Sequence, residues 1–134
     1  MKFSKILGFG LLALGLTSGQ AMADAHGNKF AHSRAFNGQT YMMYQTHMSL
    51  YYFTNDEIGV SNCNGACAES WPPAVFPEGT PMGENYSLIQ REDGRFQVAF
   101  KGHPLYLYSG DARPGDVNGD GLNGVWFLSK PDSF

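Results

Sequence analysis

The sequence has few cysteines, no excess of basic charge and none of the short motifs that mark common enzyme classes. Of its 134 residues only two are cysteine, and 12 acidic residues outnumber 9 basic ones. This charge balance argues against nucleic acid or an anionic membrane as a partner. The chain contains no P-loop, no HExxH, no GxSxG and no evident nucleophile-base pair. The sequence therefore predicts a protein that is not an enzyme.

Long hydrophobic runs are also absent, except for one near the N-terminus. Lys2 and Lys5 precede an apolar run at residues 6–16, and Ala21-Met22-Ala23 forms a small-x-small site. This is the layout of a cleavable secretory signal, and the run is too short to span a bilayer. We expect cleavage after Ala23, a periplasmic or secreted location and no integral membrane segment in the mature chain. Residues 24–134 amount to one domain.

One motif, Leu-Tyr-x-aromatic-x-x-Asp, is present twice, at residues 50–56 and 105–111. In each copy the tyrosine and the aromatic residue two positions later face the same side of a strand, and the aspartate lies where a turn begins. The sequence therefore predicts two related strand-turn units. Their motif residues are Tyr51, Phe53 and Asp56 in the first copy and Tyr106, Tyr108 and Asp111 in the second.

Residues that favour β-structure fill most of the chain after residue 39. We predict adjacent strands at residues 40–45 and 48–54, a three-stranded meander across 86–109, and a last strand at 125–129. One helical turn is expected at residues 66–71, ended by Pro72-Pro73. The fold class is thus mainly β: a compact antiparallel domain, a small barrel or sandwich, because an open sheet with this many aromatic residues would expose an apolar face.

The chain is expected to divide into three parts. Residues 1–23 form the signal peptide. Residues 24–38 show neither helical nor strand periodicity, which predicts a flexible N-terminal arm. Residues 39–134 form the single β-rich repeat domain.

Cys63 and Cys67 are four residues apart, which allows a disulfide across one turn if their Cβ vectors converge. In an exported protein a structural disulfide is the default for such a pair. The same spacing occurs in thiol-redox and copper proteins, so a thiol-redox function is one alternative. No Lys, Arg or His adjacent in sequence would lower a thiol pKa, which favours the structural interpretation.

Histidine and methionine residues raise copper as another alternative. His47 and His103 each lie just upstream of a motif copy, and Met48 follows the first. Imidazole and thioether ligands suit Cu(I). His26 would be the third residue after the predicted cleavage site, a spacing suited to Cu(II) or Ni(II). The two repeat histidines converge on one ion only if the repeats pair face to face; otherwise they are two turn residues far apart.

A glycine-rich loop near the C-terminus raises calcium as a further, less favoured cofactor. Asp116, Asn118 and Asp120 match positions 1, 3 and 5 of an EF-hand loop, but the twelfth position is Phe127 instead of glutamate. The other interpretation is a loop of Asx turns whose carboxylates cap their own backbone.

Taken together, the motifs resemble the bacterial family called "secreted repeat of unknown function", predicted lipoproteins with a Yx(FWY)xxD motif. The resemblance spans about residues 40–130 and implies export, a repeat-built β-rich domain and no established activity. This chain lacks the lipobox cysteine of many relatives, which favours a soluble periplasmic form. The segments that carry the resemblance are residues 50–56, 61–68 with 71–73, 102–108, and 114–116 with 124–126.

The favoured function is accordingly a non-enzymatic binding or structural module in the periplasm, whose partner is an unknown protein or small ligand. A copper-binding protein is the first alternative and a thiol-redox protein the second.

Overall fold

The computed structural model describes residues 31–36 and 38–134. The predicted signal peptide and His26 lie outside these residues. The strands are β1 (Ala31–Phe36), β2 (Gln39–Tyr44), β3 (Tyr51–Phe53), β4 (Tyr86–Gln90), β5 (Phe96–Phe100), β6 (His103–Pro104) and β7 (Trp126–Leu128). The helix α1 (Ala66–Ser70) and a 3-10 helix (Leu122–Gly124) complete the described elements.

The strands form three small antiparallel sheets, β1–β2, β3–β7 and β4–β5–β6. This confirms the predicted fold class, although the sheets do not close into a barrel within the described residues. The predicted meander is β4–β5–β6, and its third strand is only two residues long. One reason is that Pro104 has no N–H group to donate to a neighbouring strand. In the same part of the chain, neither helix has the length and apolar character needed to cross a membrane.

The structure differs from the predicted flexible N-terminal arm, because part of that segment forms strand β1. It pairs with β2 from Ala31 opposite Tyr44 to Phe36 opposite Gln39. The side chains of residues 33–35 are exposed. Because burial imposes no alternation on these three residues, the sequence pattern gives no sign of the strand.

The two repeats exchange their last strands. We call residues 31–75 the first repeat and residues 86–130 the second; each runs from a hairpin through one motif copy to a tryptophan and its following residues. Strand β7 of the second repeat pairs with β3 of the first, with Tyr51 opposite Leu128. In return, Pro73 of the first repeat pairs with Tyr106 of the second. Each repeat therefore completes the other.

Backbone hydrogen bonds show the same exchange one step further along the chain. The N–H of Ser129 donates to the carbonyl of Leu50 at 2.9 Å, and the N–H of Ala74 donates to that of Leu105 at 3.0 Å. All four residues are buried. Leu50 and Leu105 are 55 residues apart, as are Ala74 and Ser129. The two halves are thus related by an approximate two-fold axis.

Four aromatic rings stack across this axis. Trp71 and Trp126 lie parallel with their centroids 3.8 Å apart. Phe53 stacks on the outer face of Trp126 at 4.2 Å, and Tyr108 stacks on Trp71 at 4.3 Å. Each tryptophan therefore packs against the motif aromatic of the other repeat. Offset stacking of this kind adds about 0.5–1.5 kcal/mol per pair to the free energy gained by burial.

Gly119 lies against this stack with no room for a larger side chain. A Cβ atom there would be 2.6 Å from Cη2 of Trp71 and 3.1 Å from Cδ2 of Tyr108. We expect Gly119→Ala to lower the free energy of unfolding by about 1–3 kcal/mol, because the rings must shift to admit the methyl group. Urea denaturation measures the loss. A Trp71→Phe background removes the nearest clashing atom, Cη2 of Trp71, and leaves Tyr108 in place. The Gly119→Ala penalty should therefore shrink there; an equal penalty in both backgrounds would contradict the steric explanation.

Candidate functional site

The two motif tyrosines form the centre of the molecule. The N–H of Tyr51 donates to the carbonyl of Tyr106 at 2.8 Å, and the N–H of Tyr106 donates to that of Tyr51 at 2.9 Å. Both residues are fully buried, at 0% exposure. This reciprocal antiparallel pair joins the two repeats backbone to backbone.

The side chains of the motif are exchanged in the same way. The phenol of Tyr51 donates to Oδ2 of Asp111 at 2.7 Å, and the phenol of Tyr106 donates to Oδ2 of Asp56 at 2.8 Å. The tyrosine of each motif copy therefore binds the aspartate of the other. These contacts are hydrogen bonds to charged groups, which are stronger than neutral ones.

Backbone and hydroxyl groups complete both pairs. The second carboxylate oxygen of Asp56 accepts the N–H of Asn62 at 2.6 Å, and that of Asp111 accepts the N–H of Asn118 at 2.9 Å. The Tyr51 phenol oxygen also accepts the N–H of Gly119 at 3.2 Å. The corresponding bond of the Tyr106 phenol is to the Ser61 hydroxyl, at 2.6 Å.

Burial determines the protonation of these groups. Burial raises the pKa of the Tyr51 phenol far above its ordinary value, and its hydrogen bond to Asp111 raises it further. Burial likewise raises the pKa of Tyr106. The pKa of Asp56 is raised by burial, and this is partly opposed by the hydrogen bonds from Asn62 and Tyr106. Both phenols are therefore held in their neutral, donating form.

Arg91 connects this centre to the cysteine loop. Its side chain is fully buried and contacts Asp93 at 3.1 Å. Its Nη1 donates to Ser61 Oγ at 2.8 Å and to Gln97 Oε1 at 2.9 Å. Its Nη2 donates to the carbonyl of Cys63 at 2.9 Å. A buried guanidinium is tolerated only when its donors are satisfied in this way, so Arg91 fixes the loop that begins at Ser61.

Cys63 and Cys67 form a disulfide, with their Cα atoms 5.2 Å apart. This confirms the predicted pairing. Cys63 is fully buried and Cys67 is half-buried at the start of α1. No basic residue is adjacent to the two cysteines in the sequence, but the fold places Arg91, 28 residues away, beside Cys63. Arg91 binds the backbone carbonyl of Cys63 and so holds the loop in place.

The residues proposed for copper lie in separate surroundings. His47 is exposed in a turn with a positive φ of 70°, and Met48 beside it is half-buried. His103 stacks on Phe134 with centroids 3.4 Å apart, and burial lowers its pKa. Because Tyr51 and the equivalent Tyr106 pair antiparallel, the segments that precede them, which contain His47 and His103, run in opposite directions away from this pair.

A metal-binding cluster is not formed by the residues at 31–36 and 38–134: no group of three or more His, Cys, Asp or Glu side chains there is arranged to hold an ion. Copper binding by these histidines therefore stays a prediction.

The side chains proposed for calcium bind backbone groups. Asp116 Oδ2 accepts the N–H groups of Ala112 at 2.8 Å and of Arg113 at 3.2 Å. Asp120 Oδ1 accepts the N–H of Leu128 at 2.9 Å. The Asn118 amide contacts the carbonyl of Gly110 at 3.4 Å. This is the geometry of carboxylates that cap the backbone, the interpretation set against calcium above.

Sequence reasoning missed the roles of three residues. Trp71 and Trp126 each follow their motif tyrosine by 20 residues. This equal spacing is a signal that both tryptophans belong to the repeat. Arg91 left no such signal, because nothing in the sequence marks an arginine that precedes an Asp-Gly turn as buried.

Comparison with known proteins gives one match. A family model described as a secreted repeat of unknown function matches residues 42–75 and 87–130. The two matched segments correspond to the two repeats of the structure. No curated protein and no solved structure matches the chain.

The exchanged pairs should be coupled energetically. We expect Tyr51→Phe to lower the free energy of unfolding by about 1–3 kcal/mol, because Asp111 then keeps its buried charge without the phenol donor. In a double-mutant cycle with Asp111→Asn, the loss of unfolding free energy in the double variant should be smaller than the sum of the two single losses by about 0.5 kcal/mol or more. Tyr52→Phe is the matched control, since Tyr52 faces the opposite side of β3. Additive losses would show that the pair contributes nothing beyond its separate residues.

Stability should fall at alkaline pH. The folded-state pKa values of Tyr51 and Tyr106 are raised above the unfolded value of about 10. Their contribution is therefore fully present below about pH 10 and is lost as the pH rises above it, because only the unfolded chain releases these protons. Urea midpoints measured from neutral to alkaline pH test this. The Tyr51→Phe/Tyr106→Phe variant, although less stable at neutral pH, should show a shallower decline; an identical decline would contradict the assignment.

Proposed function

Because this chain belongs to the family of secreted repeats of unknown function, we propose that it is a periplasmic protein that acts as a non-enzymatic binding or structural module. The family description supports export. The proposal of a periplasmic location rests on the signal-like N-terminus and on the absence of a cysteine near the expected cleavage site. The partner is an unidentified protein or small ligand.

One observation carries the non-enzymatic part of the proposal: the polar groups of the repeat motif are used to join the two repeats. The phenols of Tyr51 and Tyr106 are fully buried, and each donates to an aspartate of the other repeat. A catalytic group must reach a substrate, whereas these groups are enclosed and hydrogen-bonded. The tyrosines and aspartates of the repeat motif thus have a structural role, which is to join the two repeats.

Export and processing can be tested by intact mass spectrometry of protein recovered from the periplasmic fraction. We expect a chain that starts at Asp24, carries no lipid and is lighter by two hydrogen atoms than its reduced form. Ala23→Arg is the control, because a bulky charged residue at the cleavage site should block processing. Unprocessed chain of 14.7 kDa in the cytoplasm would contradict the proposal.

Native mass spectrometry and metal analysis of the same sample test the binding module. A mass excess that is lost on denaturation would reveal a bound ligand, and its absence would favour the structural form of the module. Stoichiometric copper that disappears in His47→Ala or His103→Ala would overturn the proposal in favour of a copper protein.

A further inference from the structure

The tryptophan pair and the two tyrosine–aspartate pairs are in direct contact. The Tyr51 ring lies nearly perpendicular to the Trp71 indole, with an interplanar angle of 79° and centroids 5.4 Å apart. The Tyr106 ring meets Trp126 in the same way at 5.1 Å. Each of these phenols donates to a carboxylate, Asp111 or Asp56. The core thus contains an indole pair flanked on both sides by a phenol with its own proton acceptor.

From this geometry we infer that the core is a radical relay, which accepts an oxidising equivalent at the stacked indoles and holds it on Tyr51 or Tyr106. The inference goes beyond the proposed function and does not depend on it. The oxidant is a one-electron oxidant such as a carbonate or peroxyl radical, which removes one electron from the pair formed by Trp71 and Trp126.

The stack favours this first step. The two indoles are parallel, with an interplanar angle of 2° and centroids 3.8 Å apart, so their π systems can share the positive charge. Phe53 and Tyr108 cover the outer faces. The face of an aromatic ring attracts a cation, so these neighbours stabilise a charge on the indoles.

The second step moves one electron and one proton. The indole radical cation of Trp71 takes an electron from Tyr51, and the phenol proton of Tyr51 passes to Oδ2 of Asp111 along the 2.7 Å hydrogen bond. The products are a neutral indole, a neutral tyrosyl radical and a protonated carboxyl group. Tyr106 and Asp56 provide the same step for Trp126, over 2.8 Å.

Burial then protects the product. Tyr51 and Tyr106 are both at 0% exposure. The tyrosyl radical persists until a one-electron reductant such as a thiolate returns an electron, and the proton then moves back from the carboxyl group to the phenol. In this way the core reduces an oxidant that reaches the protein, and it returns to its original form when the tyrosyl radical is reduced.

Flash photolysis of the mature, disulfide-bonded protein with a photo-generated one-electron oxidant tests the relay. Transient absorption should show the indolyl radical decaying as a tyrosyl radical rises, more slowly in D₂O than in H₂O. In Tyr51→Phe/Tyr106→Phe the indolyl lifetime should lengthen about tenfold or more, equivalent to a barrier raised by about 1.4 kcal/mol. Asp56→Asn/Asp111→Asn should lengthen it as well. Tyr52→Phe should leave it unchanged, because that ring packs on Phe127 on the outer side.

An unchanged indolyl lifetime in the double phenylalanine variant would overturn the relay. If that variant does not fold, the wild-type protein decides. A tyrosyl radical that reacts slowly with a hydrophilic reductant such as ascorbate lies in the core and supports the relay. A tyrosyl radical that ascorbate removes at the rate of free tyrosine lies at the surface, and this result would also overturn the relay.

Discussion

The reciprocal pairing of Tyr51 with Tyr106 is the interaction on which the rest of the structure depends. It sets the two repeats antiparallel at one point, and this fixes which residues meet on either side of the axis. The phenols can reach the opposite aspartates only in this register, because a shift of one residue would turn both rings to the other face. The strands that follow the tryptophans then extend the sheet of the opposite repeat. The exchange of side chains and the exchange of strands have the same geometric cause.

The aromatic stack and the buried polar groups depend on one another. Aromatic rings without polar partners can pack in many orientations, whereas the hydrogen bonds of Tyr51 and Tyr106 allow few. In these orientations the phenol rings stand perpendicular to the two indoles. The network extends through Ser61 to Arg91, so the second hairpin and the cysteine loop are tied to the same centre. Networks in which every member is satisfied make a core specific as well as stable.

The local structure could be predicted from the sequence, but the pairing between repeats could not. Alternation and an Asp-Gly turn predicted β4 and β5, and paired prolines predicted the end of α1. Tyr51 and Asp111 are 60 residues apart, and nothing in the motif shows whether an aspartate serves its own tyrosine or that of the other copy. Arg91 was missed for a related reason, since its burial is decided by a loop 28 residues away. Strand β1 was missed because the side chains of residues 33–35 are exposed and carry no pattern of burial.

The exchanged strands have a consequence for how the molecule responds to dilution. Each repeat uses the other as a subunit of a symmetric dimer would, yet both belong to one chain and are joined by residues 76–85. Such a linker holds the halves at an effective concentration on the order of millimolar, whatever the concentration of the protein itself. An exported protein can be present at low concentration, at which an ordinary dimer would dissociate. Here the association is intramolecular, so the assembled form does not depend on how much of the protein is present.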